Sequence, residues 1–184
     1  TNGVWSKVPQ APVEGFCFDT RKLTKNACFL ALKTATNDGH LYVKTARDCG
    51  ASAAIVEHFI EDFDLPQLRV ENTLSAFQSI ARAYRQILPT KIIALTGSAG
   101  KTSAKELLSL LLGEETFKSH ENLNNTLGVP FSLTQIDGSV HKIAVLEAGI
   151  SEKGEMDTLA SMLQPDVSIL INVEPVHLEH FGTL

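Results

Sequence analysis

The sequence predicts an α/β chain in two parts, a small N-terminal α/β domain followed by a mostly parallel sheet built around a P-loop-type turn. Three observations predict it. The apolar run Ile92 to Leu95 leads into Thr96-Gly97-Ser98-Ala99-Gly100-Lys101-Thr102-Ser103, and the leucine-rich stretch Ala104 to Leu112 follows with neither Gly nor Pro. This is the pattern of a buried strand, a glycine-bracketed loop and the start of a helix. Beyond that turn, apolar runs suited to strands alternate with helix-periodic segments, an order that favours parallel pairing through right-handed crossovers. Ahead of it a strand–helix–strand order closes at Pro89-Thr90, where the apolar pattern breaks. The domain boundary is therefore placed near residue 89, giving an N-terminal domain over 1–88 and a second over 89–184.

Taken in order, Glu14 to Asp19 alternates Gly15 and Cys17 on one side with Phe16 and Phe18 on the other, and Ala27 to Leu32 is a second apolar run after a turn at Lys25-Asn26. Both read as short strands. Tyr42 to Cys49 suits a helix closed by Gly50, Ala53 to Val56 a buried strand, and Leu68 to Val70 a further strand. Thr73 to Leu88 carries Leu74, Phe77, Ile80, Ala81, Tyr84, Ile87 and Leu88 at helical spacing, with Asn72 or Thr73 as its cap. The second domain reads as strand 91–96, helix 102–112, strand 116–118, a helix around 126–136, strand 142–147, helix 154–163 and strand 167–172.

Composition excludes several classes. A hydrophobic content of 43% with 20% charged residues suits a water-soluble domain, and no apolar run approaches the length of a membrane span. The formal net charge of −5, with 16 scattered Lys and Arg, argues against a nucleic-acid binder. Cys17, Cys28 and Cys49 form no C-x-x-C pair, which suggests reduced core thiols in a cytoplasmic protein.

In a parallel sheet, ligands bind at the carboxyl ends of the strands, so the loops after residues 96, 147 and 172 are the candidate site. Gly97 and Gly100 let the first of these loops curl so that its N–H groups approach an anion at the positive end of the following helix. Lys101 is placed to reach phosphate oxygens, and the Thr102 hydroxyl suits Mg²⁺. The match is Gly-x-x-Gly-Lys-Thr and not the full phosphate-loop pattern, because Leu95 stands where the first glycine would fall. Taken alone it is compatible with an ordinary strand-to-helix turn. Glu147 is a charge at the end of an apolar strand, where a solvated acid is also common. His177 and His180 lack further ligands at zinc spacing. A carboxylate, an imidazole and the Thr102 hydroxyl at one loop would together suit Mg²⁺ or Mn²⁺ on a nucleotide. Asn122, Asn124 and Asn125 supply uncharged donors and acceptors before a helix that Asn125 could cap. Asp19-Thr20-Arg21 and Asp38-Gly39-His40 follow strands, where Asp and Gly mark turns in any case.

In combination these segments say more. Phe18-Asp19-Thr20-Arg21-Lys22-Leu23, Phe29-Leu30-Ala31-Leu32-Lys33, Asp38-Gly39-His40, Thr96-Gly97-x-x-Gly100-Lys101-Thr102, Asn122-x-Asn124-Asn125-x-x-Gly128-x-Pro130, Leu146-Glu147-x-Gly149 and Asn172-x-x-x-x-His177-Leu178-Glu179-x-Phe181-Gly182 occur in the order seen in Mur ligases. Over nearly its whole length the chain resembles the N-terminal domain and part of the central domain of that family. The Asn-rich segment points to the branch that joins D-Ala-D-Ala to UDP-MurNAc-tripeptide.

The resemblance implies an ATP-dependent amide ligase of peptidoglycan synthesis that works through an acyl phosphate, with ATP and Mg²⁺ as cofactors. It implies that Gly97, Ser98, Ala99, Gly100, Lys101, Thr102 and Ser103 hold the ATP phosphates, with Thr102 and Glu147 on one metal ion and His177 on or near a second. Lys101, Glu147 and His177 would then be the catalytic set. Asp19, Thr20, Arg21, Asp38, Gly39 and His40 would belong to the uridine end of the substrate, while Asn122, Asn124 and Asn125 would face its sugar or peptide part. UDP-MurNAc-tripeptide and D-Ala-D-Ala would be the small-molecule partners, without nucleic acid or membrane, and the full-length protein a cytoplasmic monomer. A further family lysine and a third domain would lie past Leu184, so this stretch alone is expected not to ligate. Two alternatives stay open: another ligase of the same type with a different amine, MurE-like among them, and a non-catalytic module that binds a nucleotide or a UDP-sugar.

Overall fold

The computed structural model describes residues 2–62, 64–120 and 123–175. It contains two compact units, divided between Ile80 and Ala81. The division falls inside a helix, ahead of the break at Pro89. Phe77 stacks against Phe16 of the first unit at 5.0 Å between ring centroids, whereas Ala81 and Leu88 join the core of the second. Proline stops the helix, but the division between the units falls about two turns ahead of it.

The first unit is a five-stranded sheet in the order β1-β5-β4-β3-β2. Strands β2 (Gly15–Cys17), β3 (Ala27–Leu30), β4 (Ala53–Val56) and β5 (Gln67–Arg69) run parallel, and β1 (Val4–Trp5) pairs antiparallel with β5. Every residue of β3 and β4 is buried, which is why both read as unbroken apolar runs and not as alternation. β1 went unpredicted because two exposed residues carry no period. Helix α1 (Val43–Asp48) contributes Val43 and Ala46 to the core, and Gly50, at φ +95°, turns the chain out of it. Helix α2 (Thr73–Ile87) is capped by Asn72, whose Oδ1 accepts the Ser75 N–H at 2.8 Å.

The second unit is a parallel four-stranded sheet in the order β7-β8-β6-β9, made of β6 (Lys91–Thr96), β7 (Thr116–Lys118), β8 (Ile143–Glu147) and β9 (Val167–Leu170). Helices α3 (Lys101–Leu112), α4 (Gly128–Thr134) and α5 (Glu155–Leu163) alternate with the strands as the sequence predicts. Ile92, Ala94, Ala144, Leu146, Val129, Leu133, Leu159 and Met162 form its core. The register sets Leu95 opposite Glu147 and Thr96 opposite Leu170, so the loops leaving β6, β8 and β9 emerge from one edge of the sheet. α4 starts at Gly128 and not at 126, because Asn125 folds an Asx turn whose Oδ1 accepts the N–H groups of Leu127 and Gly128. α3 buries its second lysine and exposes leucines: Lys105 is 1% exposed, Leu110 79% and Leu111 84%. Among the described residues, no helix is long and apolar enough to cross a membrane.

Candidate functional site

The loop between β6 and α3 is shaped by two left-handed glycines, Gly97 at φ +143° and Gly100 at φ +82°. It is strapped to the segment that follows β9. The Ser98 N–H donates to Asn172 O at 3.2 Å and the Ala99 N–H to Asn172 Oδ1 at 3.0 Å, while the Ser98 hydroxyl accepts the Glu174 N–H at 2.8 Å. With those two amides engaged, the donors left to an anion are the first-turn N–H groups of α3, which have no intrahelical carbonyl to bond. Lys101 folds its ammonium back over the loop, donating to the Gly97 and Ser98 carbonyls. It must swing outward to meet a phosphate.

Thr102, the second residue of α3, donates its hydroxyl to Glu147 Oε2 at 3.3 Å. Glu147 ends β8 and is 1% exposed, and its Oε1 lies 3.0 Å from Lys105 Nζ. Geometry too poor for a hydrogen bond leaves Oε1 without one, yet at this separation the pair is a buried ion contact. Lys105 donates instead to the Ser119 carbonyl at 2.8 Å, and the Ser119 hydroxyl accepts the Glu147 N–H at 3.4 Å. The sequence reading missed Lys105, Ser119 and the strap by Asn172. Lys105 stands three residues after Thr102 on the same helix face, but a lysine on a leucine-rich helix reads as solvent-facing.

Asn124 sits against the turn after Glu147. Its carbonyl accepts the Gly149 N–H at 2.7 Å, and a Cβ on Gly149 would come within 3.2 Å of the Asn124 side chain. Asn124 therefore stands at the strand edge that bears Glu147, while the Oδ1 of Asn125 is occupied by its Asx turn. Asn122 and His177 lie outside the described residues.

In the first unit, Asp19-Thr20-Arg21 forms a 3-10 turn after β2, and Asp38-Gly39-His40 opens another after the loop that follows β3. Arg21 makes two bonds to Asp19, Nε to Oδ1 at 2.9 Å and Nη2 to Oδ2 at 2.7 Å, and its side chain is 86% exposed. Those bonds, together with the Arg21 N–H, hold the Asp19 carboxyl down at about 2. His40 points inward instead. It is 6% exposed, its Nδ1 lies 2.6 Å from Asp38 Oδ1, and its Nε2 accepts the Glu57 N–H at 2.8 Å. Gly39 is required by packing, since a Cβ there would stand 2.6 Å from Leu32 N. His40 and Gly39 thus brace the sheet end, while Arg21 faces outward.

Residues 95–184 match the Mur ligase middle domain. A curated relative from Escherichia coli, named UDP-N-acetylmuramoyl-tripeptide–D-alanyl-D-alanine ligase, is 40% identical over 168 residues, covering 90% of this chain and 37% of the relative. One of the same name from Bacillus subtilis is 34% identical over 178 residues, covering 95% and 39%. Residues 95–184 belong to the Mur ligase family. Among solved Mur ligase structures, MurF from Acinetobacter baumannii superposes with a TM-score of 0.91 at 36% identity, over 99% of this chain and 41% of that one. MurF from Thermotoga maritima, in complex with ADP, gives 0.81 at 32% identity, over 93% and 40%. A diaminopimelate-adding Mur ligase at 18% identity and a TM-score of 0.58 shares the fold alone. The chain spans about two fifths of the length of these relatives.

The Mur ligase residues at this sheet edge fit a hard cation. Thr102 Oγ1 and the buried Glu147 carboxylate are oxygen donors 3.3 Å apart. Among the described residues no group of three or more His, Cys, Asp or Glu could hold a metal. A cation here would complete its shell with phosphate oxygens and water, as Mg²⁺ does at nucleotide sites.

Proposed function

We propose that this chain is the nucleotide- and UDP-sugar-binding part of an ATP-dependent ligase that joins D-Ala-D-Ala to UDP-MurNAc-tripeptide in peptidoglycan synthesis. The observation that carries the reading is the convergence of the Gly97–Thr102 loop and Glu147 at one edge of the parallel sheet, in a chain similar to MurF proteins. In this reading the α3 first-turn amides and Lys101 bind the ATP phosphates. Thr102 and Glu147 hold Mg²⁺, with His177 on or near a second ion. Mg²⁺, when bound, offsets charge on the phosphoryl group being transferred.

The chemistry asked of the protein is to turn an inert carboxylate into one that an amine can attack at neutral pH. Transfer of the γ-phosphoryl group to the substrate carboxylate gives an acyl phosphate, and the D-Ala-D-Ala amine then displaces phosphate to form the amide. Lys101, swung out from the loop carbonyls, adds positive charge beside the transferring group. Asp19-Thr20-Arg21 offers its exposed guanidinium and the Thr20 hydroxyl to the uridine nucleotide end, and Asp38-Gly39-His40 belongs to that same end of the substrate. Asn122, Asn124 and Asn125 serve the sugar or peptide part. The full-length protein is proposed to be a cytoplasmic monomer.

A protein of full family length carrying this sequence tests the reading, given UDP-MurNAc-tripeptide, ATP and D-Ala-D-Ala. ADP release that requires both the tripeptide and the dipeptide is expected. Release that depends on a different amine, or no release, would refute it.

A further inference from the structure

The ligase chemistry leaves Lys105 without a task, although its burial calls for one. An ammonium in a protein interior carries a heavy desolvation cost, and an apolar residue at the same helix position would avoid it. Lys105 Nζ is nonetheless held on three sides: Ser119 O at 2.8 Å, Glu147 Oε1 at 3.0 Å and Glu106 Oε1 at 3.8 Å. The side chains of Lys105 and Glu147 are 2% and 1% exposed. Because the carbonyl of Ser119, the residue after β7, anchors the ammonium, the position of Lys105 does not depend on Glu147 alone. The two carboxylate oxygens of Glu147 are therefore unlike: Oε1 faces a fixed cation, and Oε2 faces the Thr102 hydroxyl at 3.3 Å.

We propose that Lys105 is a positioning residue that confines Glu147 to ligation through one oxygen, and that the nucleotide site thereby prefers Mg²⁺ or Mn²⁺ to Ca²⁺. The inference rests on the reading of Thr102 and Glu147 as metal ligands. Ca²⁺ takes about six to eight oxygens and readily accepts both oxygens of a carboxylate, whereas Mg²⁺ holds to an octahedron and takes one. With Oε1 against a buried ammonium, two-oxygen ligation requires a buried ion pair to break. A single-oxygen ligand requires no such change. Groups behind a ligand commonly alter metal affinity by about 10- to 100-fold, enough to set such a preference.

The test measures ADP affinity by calorimetry with Mg²⁺ and with Ca²⁺, in the wild type and in Lys105→Met, Lys105→Arg and Lys101→Met. The wild type should favour Mg²⁺. Lys105→Met should shrink the Mg²⁺-to-Ca²⁺ ratio by about tenfold, and Lys105→Arg should restore part of it. Lys101→Met should weaken binding with both cations alike and leave the ratio in place. A folded Lys105→Met variant with the wild-type ratio overturns the proposal. A crystal structure of the unmodified protein with Mn²⁺ and ADP decides the matter without any variant. It should show one Glu147 oxygen on the metal and the other within hydrogen-bond distance of Lys105 Nζ. Two Glu147 oxygens on the metal, or Lys105 withdrawn, overturns it. A wild type that binds neither complex overturns the ligase reading as well, whereas binding with no preference between the cations overturns this inference alone.

Discussion

A Cβ placed on Gly97 would stand 3.1 Å from the backbone N, the backbone O and the side-chain Oδ1 of Asn172. Those acceptor oxygens receive the Ser98 and Ala99 N–H groups, so the close approach is what fixes the loop. Gly97→Ala adds a crowded methyl at φ +143° and should lower stability by about 1–3 kcal/mol. It should also weaken ADP binding, because the strap would be pushed off the loop. Asn172→Ala removes one acceptor and should cost less, about 1 kcal/mol. Urea unfolding of both variants checks the order, and a neutral Gly97→Ala would show that the strap is unimportant.

Lys101 lies on its own loop carbonyls, so its value to the protein must come from a ligand that draws it away. In a protein of full family length, Lys101→Ala should reduce turnover by about 100-fold or more while leaving thermal stability close to the wild type. Undiminished turnover in that variant would remove Lys101 from the phosphate site.

Much of this was legible beforehand, and what was not has physical reasons. β6 and β7 match the predicted bounds residue for residue, β6 because its central residues Ile92 to Leu95 form a continuous apolar run. Glu147 was recognisable as a charge ending such a run, and the register does place it beside the glycine loop. Lys105 was not, because a lysine on a leucine-rich helix reads as solvent-facing, and only the fold shows the leucines outside and the lysine inside. His40 shows a second limit. Its motif suggested the uridine end of the substrate, and only the fold shows that both its ring nitrogens meet Asp38 and Glu57. Sequence position reveals residue type and order, but not which way a ring turns.

The Asp19 carboxyl, held at about 2 by the Arg21 side chain and backbone N–H, gives a pH signature. Its folded value lies below the ordinary 3.8, so the pairing stabilises the fold above roughly pH 4, and that contribution fades as pH falls toward about 2. Carbon-detected NMR should find the Asp19 midpoint near 2 in the wild type and closer to 4 in Arg21→Gln. An unchanged midpoint in that variant would mean that Arg21 is not the cause.

His40 must keep its proton on Nδ1 and leave Nε2 bare, since Nε2 accepts the Glu57 N–H while Nδ1 faces the Asp38 carboxylate. Nitrogen NMR of the neutral ring should show the Nδ1–H tautomer. His40→Ala should strand the part-buried Glu57 amide and cost about 1 kcal/mol of stability. A variant as stable as the wild type would show that the Nε2 contact to the Glu57 N–H does not hold the fold.

The two units hold candidate sites of different chemistry, and two ligands should report on them separately. The first unit offers the exposed Arg21 guanidinium and the half-buried Thr20 at Asp19-Thr20-Arg21, with no glycine loop opening a helix there. The second offers the glycine loop, the first-turn amides of α3 and the Thr102–Glu147 pair, a donor set suited to polyphosphate with a cation. Titrating Mg²⁺·ADP into the 184-residue chain should therefore move amide resonances of residues 97–103 and of Glu147, and leave those of residues 19–21 in place. A UDP-sugar should do the reverse, and each ligand should bind with the other already present. Competition between them for the 97–103 resonances would place the uridine nucleotide on the phosphate loop and take the substrate role away from Asp19, Thr20 and Arg21.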